Sequence, residues 1–281
     1  MMFVYNEADI IEQLIDHMAS QRIPLVVIDN GSTDGTYEIL KRYVGSEILE
    51  LDRMITDKWY LARMLQTLYD RARVFKPDWM LRLDADEFLE SPYKEATLCE
   101  SIEREHDAGY NLIQFDDFEF WPTDEDDPSV RDVRKRIRHY SWNDCYQFIA
   151  WRNYDGVDIW TSGGHLPIFP KGTKVSLGPT RYVLRHYEIR GYEHGLRKVR
   201  ERLARYSEDD MRRWNLEKEY LRFGQERSTY IIPAEKLNRY EETGQWKVYR
   251  KFDGHRGYDL PIITKSEDVE RLMNEARPGV H

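Results

Sequence analysis

The chain is poor in cysteine, has no long apolar run and carries no excess of positive charge, and each shortage closes off a class of protein. Cys99 and Cys145 are the only two cysteines in 281 residues. They form no C-x-x-C pair, and a chain of this size buries enough surface to fold without a disulfide staple, so both are expected to be reduced, buried thiols. No uncharged apolar stretch approaches the ~20 residues of a membrane span. No basic region followed by an apolar core marks a signal segment after Met1, and a cytoplasmic location is expected. Lys and Arg number 42 against 51 Asp and Glu, a net charge of -9. That balance disfavours nucleic acid as the main partner, because binding a phosphate backbone needs a basic surface. There is no internal repeat and no low-complexity segment. What remains, with 41% hydrophobic and 13% aromatic residues, is a globular composition that excludes the disordered and fibrous classes.

The first ninety residues alternate short apolar runs with helical periodicity, the pattern of strands joined by crossover helices. Strands are expected at residues 3–5, 25–28, 48–51 and 79–83. The helices between them are expected from Ile10 to Ser20, from Ser32 or Thr33 as a cap to Val44 with Gly45 closing it, and over 59–75 before Pro77. Only Met1 to Tyr5 precede Asn6, so the first strand is either short or trimmed at its start. Beyond residue 90 long strands are expected at 110–121, 146–152 and 181–189, with a solvated loop or edge hairpin over 121–143. An Arg-rich helical stretch follows from 192 to about 223, and one more helix at 266–275. The expected architecture is α/β, a mostly parallel central sheet flanked by helices over residues 1–190 (1–90 and 91–190 as its two halves), with a helical extension over 191–281.

Two clusters at strand ends carry chemistry, and in open α/β sheets ligands bind at the carboxyl ends of the strands. In Leu83-Asp84-Ala85-Asp86-Glu87-Phe88, two carboxylates two residues apart suit a hard cation such as Mn2+ or Mg2+, which takes oxygen ligands while keeping positions open for phosphate. The plain alternative is an Asp-rich turn capping the following helix; an EF-hand is excluded by the missing ligand spacing and glycine. The second cluster runs from Asp29-Asn30-Gly31 to Thr36. It is neither a P-loop nor a G-x-G-x-x-G turn. Asp29 can accept hydrogen bonds from a nucleobase or ribose, and Gly31 allows close backbone approach; a simple glycine turn with a helix cap accounts for it equally well.

Tyr5-Asn6-Glu7, then Asp29 through Thr36, then Asp84-Ala85-Asp86, in that order after successive strands, resemble the nucleotide-sugar-binding half of the family 2 glycosyltransferases of GT-A fold. The resemblance implies sugar transfer from a nucleoside-diphosphate donor to a glycan or lipid-linked acceptor. It places Asn6, Glu7, Asp29, Asn30 and Gly31 around the nucleotide, with Asp29 near the base, Asp84 near the ribose and Asp86 on a metal ion bridging the diphosphate. Arg63 lies where the family's helix often carries a nucleotide-contacting Arg; as a bare residue it is a surface Arg. Leu184-Arg185-His186-Tyr187-Glu188-Ile189-Arg190 is similar to a narrower His-Tyr-x-x-Arg branch. That makes His186 a further metal ligand with Asp84 and Asp86, and Arg190 and Lys198 cations for the leaving diphosphate, although a lone His on a strand is more often structural.

Inversion at the sugar needs a base on the face opposite the diphosphate. The family commonly uses an Asp after a Gly-Gly element. Here Gly163-Gly164-His165 has no acid soon after it, so Asp158 and His165 are the candidates, with Glu119 behind them. Trp151 and Trp160 could stack on an acceptor sugar, though aromatics on strands are usually core. Three other readings compete. Sugar-phosphate nucleotidyl transfer normally opens with a basic Gly-rich loop that Tyr5-Asn6-Glu7 does not provide. Glycoside hydrolysis leaves the Asp29 cluster unused. A degenerate module binding glycan or protein is disfavoured by intact Asp84, Asp86 and His186. The Arg-rich helix could bring the protein to an anionic membrane for a lipid-linked acceptor, against the net charge.

Overall fold

The computed structural model describes residues 1–213, 223–242, 245–248 and 263–277. Strands β1 (Met2–Val4), β2 (Leu25–Asp29) and β3 (Ile48–Arg53) form a parallel sheet in that order. Helices α1 (Ile11–Ser20) and α2 (Thr36–Lys41) make the crossovers, and α3 (Leu61–Arg73) leads to β4 (Trp79–Leu81). Ile11, Leu14, Ile15 and Met18 of α1 are fully buried at helical spacing, each contributing roughly 1.5–3 kcal/mol by leaving water. Every residue of β2 is buried, as expected for a parallel strand covered on both faces.

A second, six-stranded sheet contains β4, β5 (Glu87–Glu90), β6 (Leu112–Trp121), β7 (His139–Arg152) and β8 (Tyr182–His186) in the order β4-β7-β6-β8-β5, with β9 (Asn238–Arg239) on β7. The two sheets meet at Met1. Its nitrogen donates to Leu81 O (2.8 Å) and its carbonyl accepts from Leu83 N (3.2 Å), so β1 runs beside the end of β4. Helices α4 (Leu98–Asp107) and α5 (Val133–Arg136) connect strands. Helices α6 (Tyr192–Arg205), α7 (Glu208–Arg213) and α8 (Ser266–Ala276) follow the sheet.

The architecture is α/β, yet the expected mostly parallel sheet is corrected. Among the described residues the named strands pair in parallel at β1–β2, β2–β3 and β6–β8, while β4–β7, β5–β8, β6–β7 and β7–β9 are antiparallel. The reason lies in β7. The segment expected as a loop up to 143 contributes its last five residues to a 14-residue strand that pairs along β6 from Trp121↔His139 to Leu112↔Trp151. Helix α4 was not anticipated at all, although Thr97-x-x-Glu100 forms a complete capping box. Helix α2 starts at Thr36 after Gly35, not at a Ser32 or Thr33 cap. Cys99 and Cys145 are free as expected, but half-buried. Residues 214–222 of the expected 192–223 helical stretch lie outside the described residues.

Successive residues of β6 face opposite ways. Phe118 and Phe120 pack into the core against Tyr140 and Tyr187, which leaves Asp117 and Glu119 on the other face, where Glu119 pairs in register with His186. The polar face of this sheet therefore adjoins the ends of β1, β2 and β4.

Candidate active site

The loops after β1 and β2 are one hydrogen-bonded unit. Asn6 has a positive φ of 54°, a conformation Asn tolerates better than most residues. Its backbone N–H donates to Ser32 Oγ (3.0 Å), its Oδ1 accepts from Thr33 N (2.9 Å), and its Nδ2 donates to Glu201 Oε2 (3.2 Å). Glu7 N donates to Thr36 Oγ1 and Ala8 N to Asp34 Oδ2, and Asp34 Oδ1 also accepts from Thr36 N. Ser32 and Asp34 are thus spent on tying the two loops together, which explains why α2 begins late. Asp29 is fully buried. Its carboxylate accepts from Gly31 N (3.0 Å), from Ser32 N (3.1 Å) and from Arg53 Nε (3.1 Å). Gly31 sits at φ 84° with only ordinary contacts to Ile55 around a hypothetical Cβ, so its backbone angle rather than crowding requires glycine. Asn30 bonds Met54 O and Thr56 Oγ1, and accepts from Arg205, whose guanidinium stacks 3.7 Å from the Tyr5 ring.

The turn after β4 faces this unit. Arg82, in a strand-like position two residues before Asp84, donates to Asp84 Oδ1 (2.6 Å). Asp84 N donates to the buried Glu87 Oε2 (2.7 Å). Burial, together with the charge of Asp84, pushes the Glu87 carboxyl up to about 7, against the pull of Arg82 and His186. Asp86 is 2% exposed, and its Oδ2 accepts from Lys198 Nζ (2.6 Å). The same ammonium donates to Glu7 Oε1 (2.8 Å). Arg190 bonds Glu7 Oε2 (2.5 Å) and both oxygens of Asp9 (2.7 and 2.8 Å). The β1 loop, the turn after β4 and helix α6 therefore converge on two buried cations, an arrangement that leaves neither Glu7 nor Asp86 as an isolated buried charge. Burial alone would raise the Asp86 carboxyl, but Lys198 and then His186 hold it well below the usual carboxylate range.

His186 Nε2 lies 3.6 Å from Asp86 Oδ1, and its Nδ1 lies 3.6 Å from Glu119 Oε1. Burial opposes its protonation, yet Glu119 and then Asp86 draw it well above the ordinary histidine value. The Asp86–His186 spacing is wider than the about 3.0 Å between neighbouring donors on one divalent ion at 2.1 Å bonds, and an ion there would have to displace the His186 proton and share Asp86 with Lys198. Asp84, on Arg82, stands apart from it. Among the described residues the group with three metal-capable donor atoms within 4.8 Å is instead Glu7, Asp9 and His194. That trio could hold an ion only by competing with Arg190, which already neutralises both carboxylates.

Of the other expected site residues, Arg63 is on the exposed side of α3. Asp158 accepts from Thr161 N (2.9 Å) and Thr161 Oγ1 (2.6 Å), and so closes its own turn. His165 is half-buried beside β7, its Nδ1 2.7 Å from Gln147 Oε1. Trp151 is fully buried in the core cluster of Phe148 and Val157, so it is a packing residue and not a sugar platform. Sequence reasoning passed over Asp9, Arg53, Arg82, Gln147 and Arg205. A strand that places an Arg at i and an Asp at i+2 on one face was a signal for Arg82; the others depend on contacts 18 to 181 residues apart along the chain. A cavity of about 420 Å³, lined by Phe75, Trp79, Ile102 and His106 among others, opens at the start of β4, whereas the residues above follow its end.

The family described as Glycosyl transferase family 2 matches residues 1–157, which hold both strand-end clusters. The chain belongs to the family 2 glycosyltransferases. No curated protein matches it. The crystal structure of S. aureus TarS is similar at 13% identity and TM-score 0.39 over 84% of this chain and 45% of that one; a structure of TarS residues 1–349 gives 14% identity and TM-score 0.39, covering 84% and 75%. The chain thus spans under half the length of full TarS. As a family 2 glycosyltransferase it has no helix, among the described residues, long and apolar enough to cross a membrane.

Proposed function

We propose that this glycosyltransferase moves a sugar from a nucleoside-diphosphate donor to a glycan or lipid-linked acceptor, with inversion and with Mn2+ or Mg2+ bound at Asp86 and His186. The observation that carries the reading is the single ammonium of Lys198 held between Glu7 and Asp86 at 2.8 and 2.6 Å. Two loops that the family uses for the nucleotide meet there on the paired cations Lys198 and Arg190. Asn6, Asp29, Asn30 and Gly31 shape the nucleotide pocket, and Arg53 on Asp29 leaves the base to be read by the same carboxylate or by the guanidinium beside it. Asp84 offers the ribose a half-exposed carboxylate, 41% exposed and fixed by Arg82. Arg63 can reach the nucleotide only from the solvent side.

Bond breaking transfers negative charge to the diphosphate, and fixed cations lower the barrier because they need no reorganisation when that charge develops. Lys198, Arg190 and Arg82 are such cations, already oriented by buried carboxylates. A bound divalent ion would neutralise part of the same diphosphate charge. The catalytic unit is taken as residues 1–190 with α6 supplying Lys198. A cytoplasmic enzyme with peripheral membrane contact is consistent with the composition.

The test is calorimetric titration of UDP and GDP with and without Mn2+. Affinity for one of them should rise with Mn2+ in the wild type, and Asp86→Ala should remove that gain. Equal binding with and without the ion, for both nucleotides, refutes the metal-assisted reading.

A further inference from the structure

We propose that the Arg205 guanidinium and the donor's nucleobase compete for one slot, so that nucleotide binding displaces this side chain; the identity of the competing ligand rests on the glycosyl-transfer reading above. Helix α6 turns one face toward the ends of β1 and β2. On that face Lys198 donates to Glu7 and Asp86, Glu201 accepts from Asn6 Nδ2 (3.2 Å), and Arg205 Nη2 donates to Asn30 O (3.1 Å) and to Asn30 Oδ1. The spacing i, i+3, i+7 keeps the three on one stripe of the helix, and Lys198 and Arg205 stand about 10 Å apart along its axis. A nucleotide laid along this stripe with its diphosphate at Lys198 therefore brings its base to Arg205, beside the loop after β2.

The slot that Arg205 fills has the chemistry of a base site. The guanidinium carbon lies 3.7 Å from the centre of the Tyr5 ring and 5.8 Å from that of Trp59, and aromatic faces hold bases by stacking. A guanidinium is flat and carries N–H donors along its edge, as a base does. The two Asn30 oxygens that it uses are acceptors open to the N–H groups of a base on the same terms. Its own fit is incomplete. Arg205 Nη1 is buried with no hydrogen-bond partner among the described residues, and an unmatched buried donor costs free energy. The groups that Arg205 Nη2 bonds are the neutral ones of Asn30. Arg190, by contrast, pairs every nitrogen of its guanidinium, and its partners include the carboxylates of Glu7 and Asp9. Of the two arginines facing these loops, one is fixed by charge and the other is held loosely enough to be exchanged. The exchange needs only a side-chain rotation, because the main chain at this point is tied separately: Arg205 O accepts from Trp59 N (2.5 Å). A slot closed by its own side chain lowers the apparent affinity of a ligand by the fraction of molecules in which it is open.

Calorimetric titration of UDP, GDP and inorganic pyrophosphate into wild type, Arg205→Ala and Arg205→Lys, with Mn2+ present and melting curves to establish that each variant folds, tests the competition. Arg205→Ala should bind UDP or GDP about 5- to 30-fold more tightly, the contribution of one stacked cation expressed as affinity. Arg205→Lys, which keeps the charge and loses the flat group, should lie between the two. Pyrophosphate has no base and should bind wild type and Arg205→Ala within about twofold of each other. In spectra of 15N-arginine-labelled wild type, the Arg205 Nε–H signal, assigned by its loss in Arg205→Ala, should move at saturation with the nucleotide that binds. Weaker nucleotide binding by folded Arg205→Ala would make the guanidinium a contact of the bound base, and unchanged binding would make it a structural cation; either overturns the competition. An equal gain for pyrophosphate places the block at the diphosphate and overturns the assignment to the base, and an unmoved Nε–H signal at saturation overturns the displacement even if Arg205→Ala does not fold. No binding of UDP or GDP by wild type or either variant refutes the glycosyl-transfer reading and the proposal together, whereas binding by wild type that Arg205→Ala fails to tighten refutes the proposal alone.

Discussion

Replacing Lys198 with Met removes a charge while keeping most of the side chain's volume, and the structure allows the cost to be worked out. Lys198 is 8% exposed and touches Glu7 Oε1 at 2.8 Å and Asp86 Oδ2 at 2.6 Å. Each contact is a Coulomb attraction of about 6 kcal/mol at an effective dielectric near 20, most of it offset by desolvation of the ions. Without the ammonium, two carboxylate oxygens that touched one nitrogen remain at most about 5.4 Å apart, and their repulsion at the same dielectric is about 3 kcal/mol or more. Breaking one partner of a buried ion pair typically costs about 3–5 kcal/mol, so the two approaches agree. At roughly 2–4 °C per kcal/mol for a domain of this order, Lys198→Met should lower Tm by about 6–20 °C in differential scanning calorimetry. A double-mutant cycle isolates the cause: adding Glu7→Gln should return at least about 1 kcal/mol, because one of the two unmatched charges is gone. A loss under about 1 kcal/mol for Lys198→Met, or no coupling to Glu7→Gln, would refute the claim that this ammonium binds the two loops together.

Other expectations follow from the same contacts. Gly195 packs so closely on the buried Tyr230 that an added Cβ would fall on the ring's Cδ1; Gly195→Ala should cost about 1–3 kcal/mol by overpacking, visible as a lower urea midpoint with m unchanged, and a neutral result would contradict the packing of α6 on that ring. His17 donates through Nε2 to Leu89 O (2.8 Å) and accepts at Nδ1 from Arg134 (3.1 Å), so it is neutral in the fold, and burial first, with the Arg134 charge, lowers its pKa. The unfolded chain then binds the extra proton. Stability should fall as pH drops below about 6.5, with a slope of at most about 1.4 kcal/mol per unit from this group, and His17→Gln should flatten that part of the melting profile. An unchanged slope in His17→Gln would assign the dependence to other groups.

Local chemistry made much of the first half legible. Apolar spacing located α1 and the α3 helix to within two residues, the β-branched run of β2 identified a buried parallel strand, and the acids at its end and after β4 marked the side of the sheet where the proposed site lies. Those features depend on neighbours within a turn or a strand, so periodicity and residue type express them. β6 was legible to within two residues, but the start of β7 was not: His139-Tyr140-Ser141-Trp142-Asn143 alternates polar and apolar residues as a half-buried strand does, yet the charged run from Asp124 to Arg138 just before it reads as a solvated loop. Trp151, a conspicuous aromatic in the sequence, proved to be core because it packs in one buried cluster with residues of α3 and α8 such as Leu68 and Val269.

Residue type alone therefore determined that acids stand at two strand ends and that a basic helix follows His186. Which charges meet was decided only by tertiary structure: Lys198 reaches Glu7 across 191 positions and Asp86 across 112, and Arg190 reaches Asp9 across 181. An ion pair between distant positions leaves no periodic trace, since any of the basic residues of that helix could satisfy the pattern. The one that does so is selected by where the sheet turns its buried carboxylates, because a charge removed from water persists only beside its opposite.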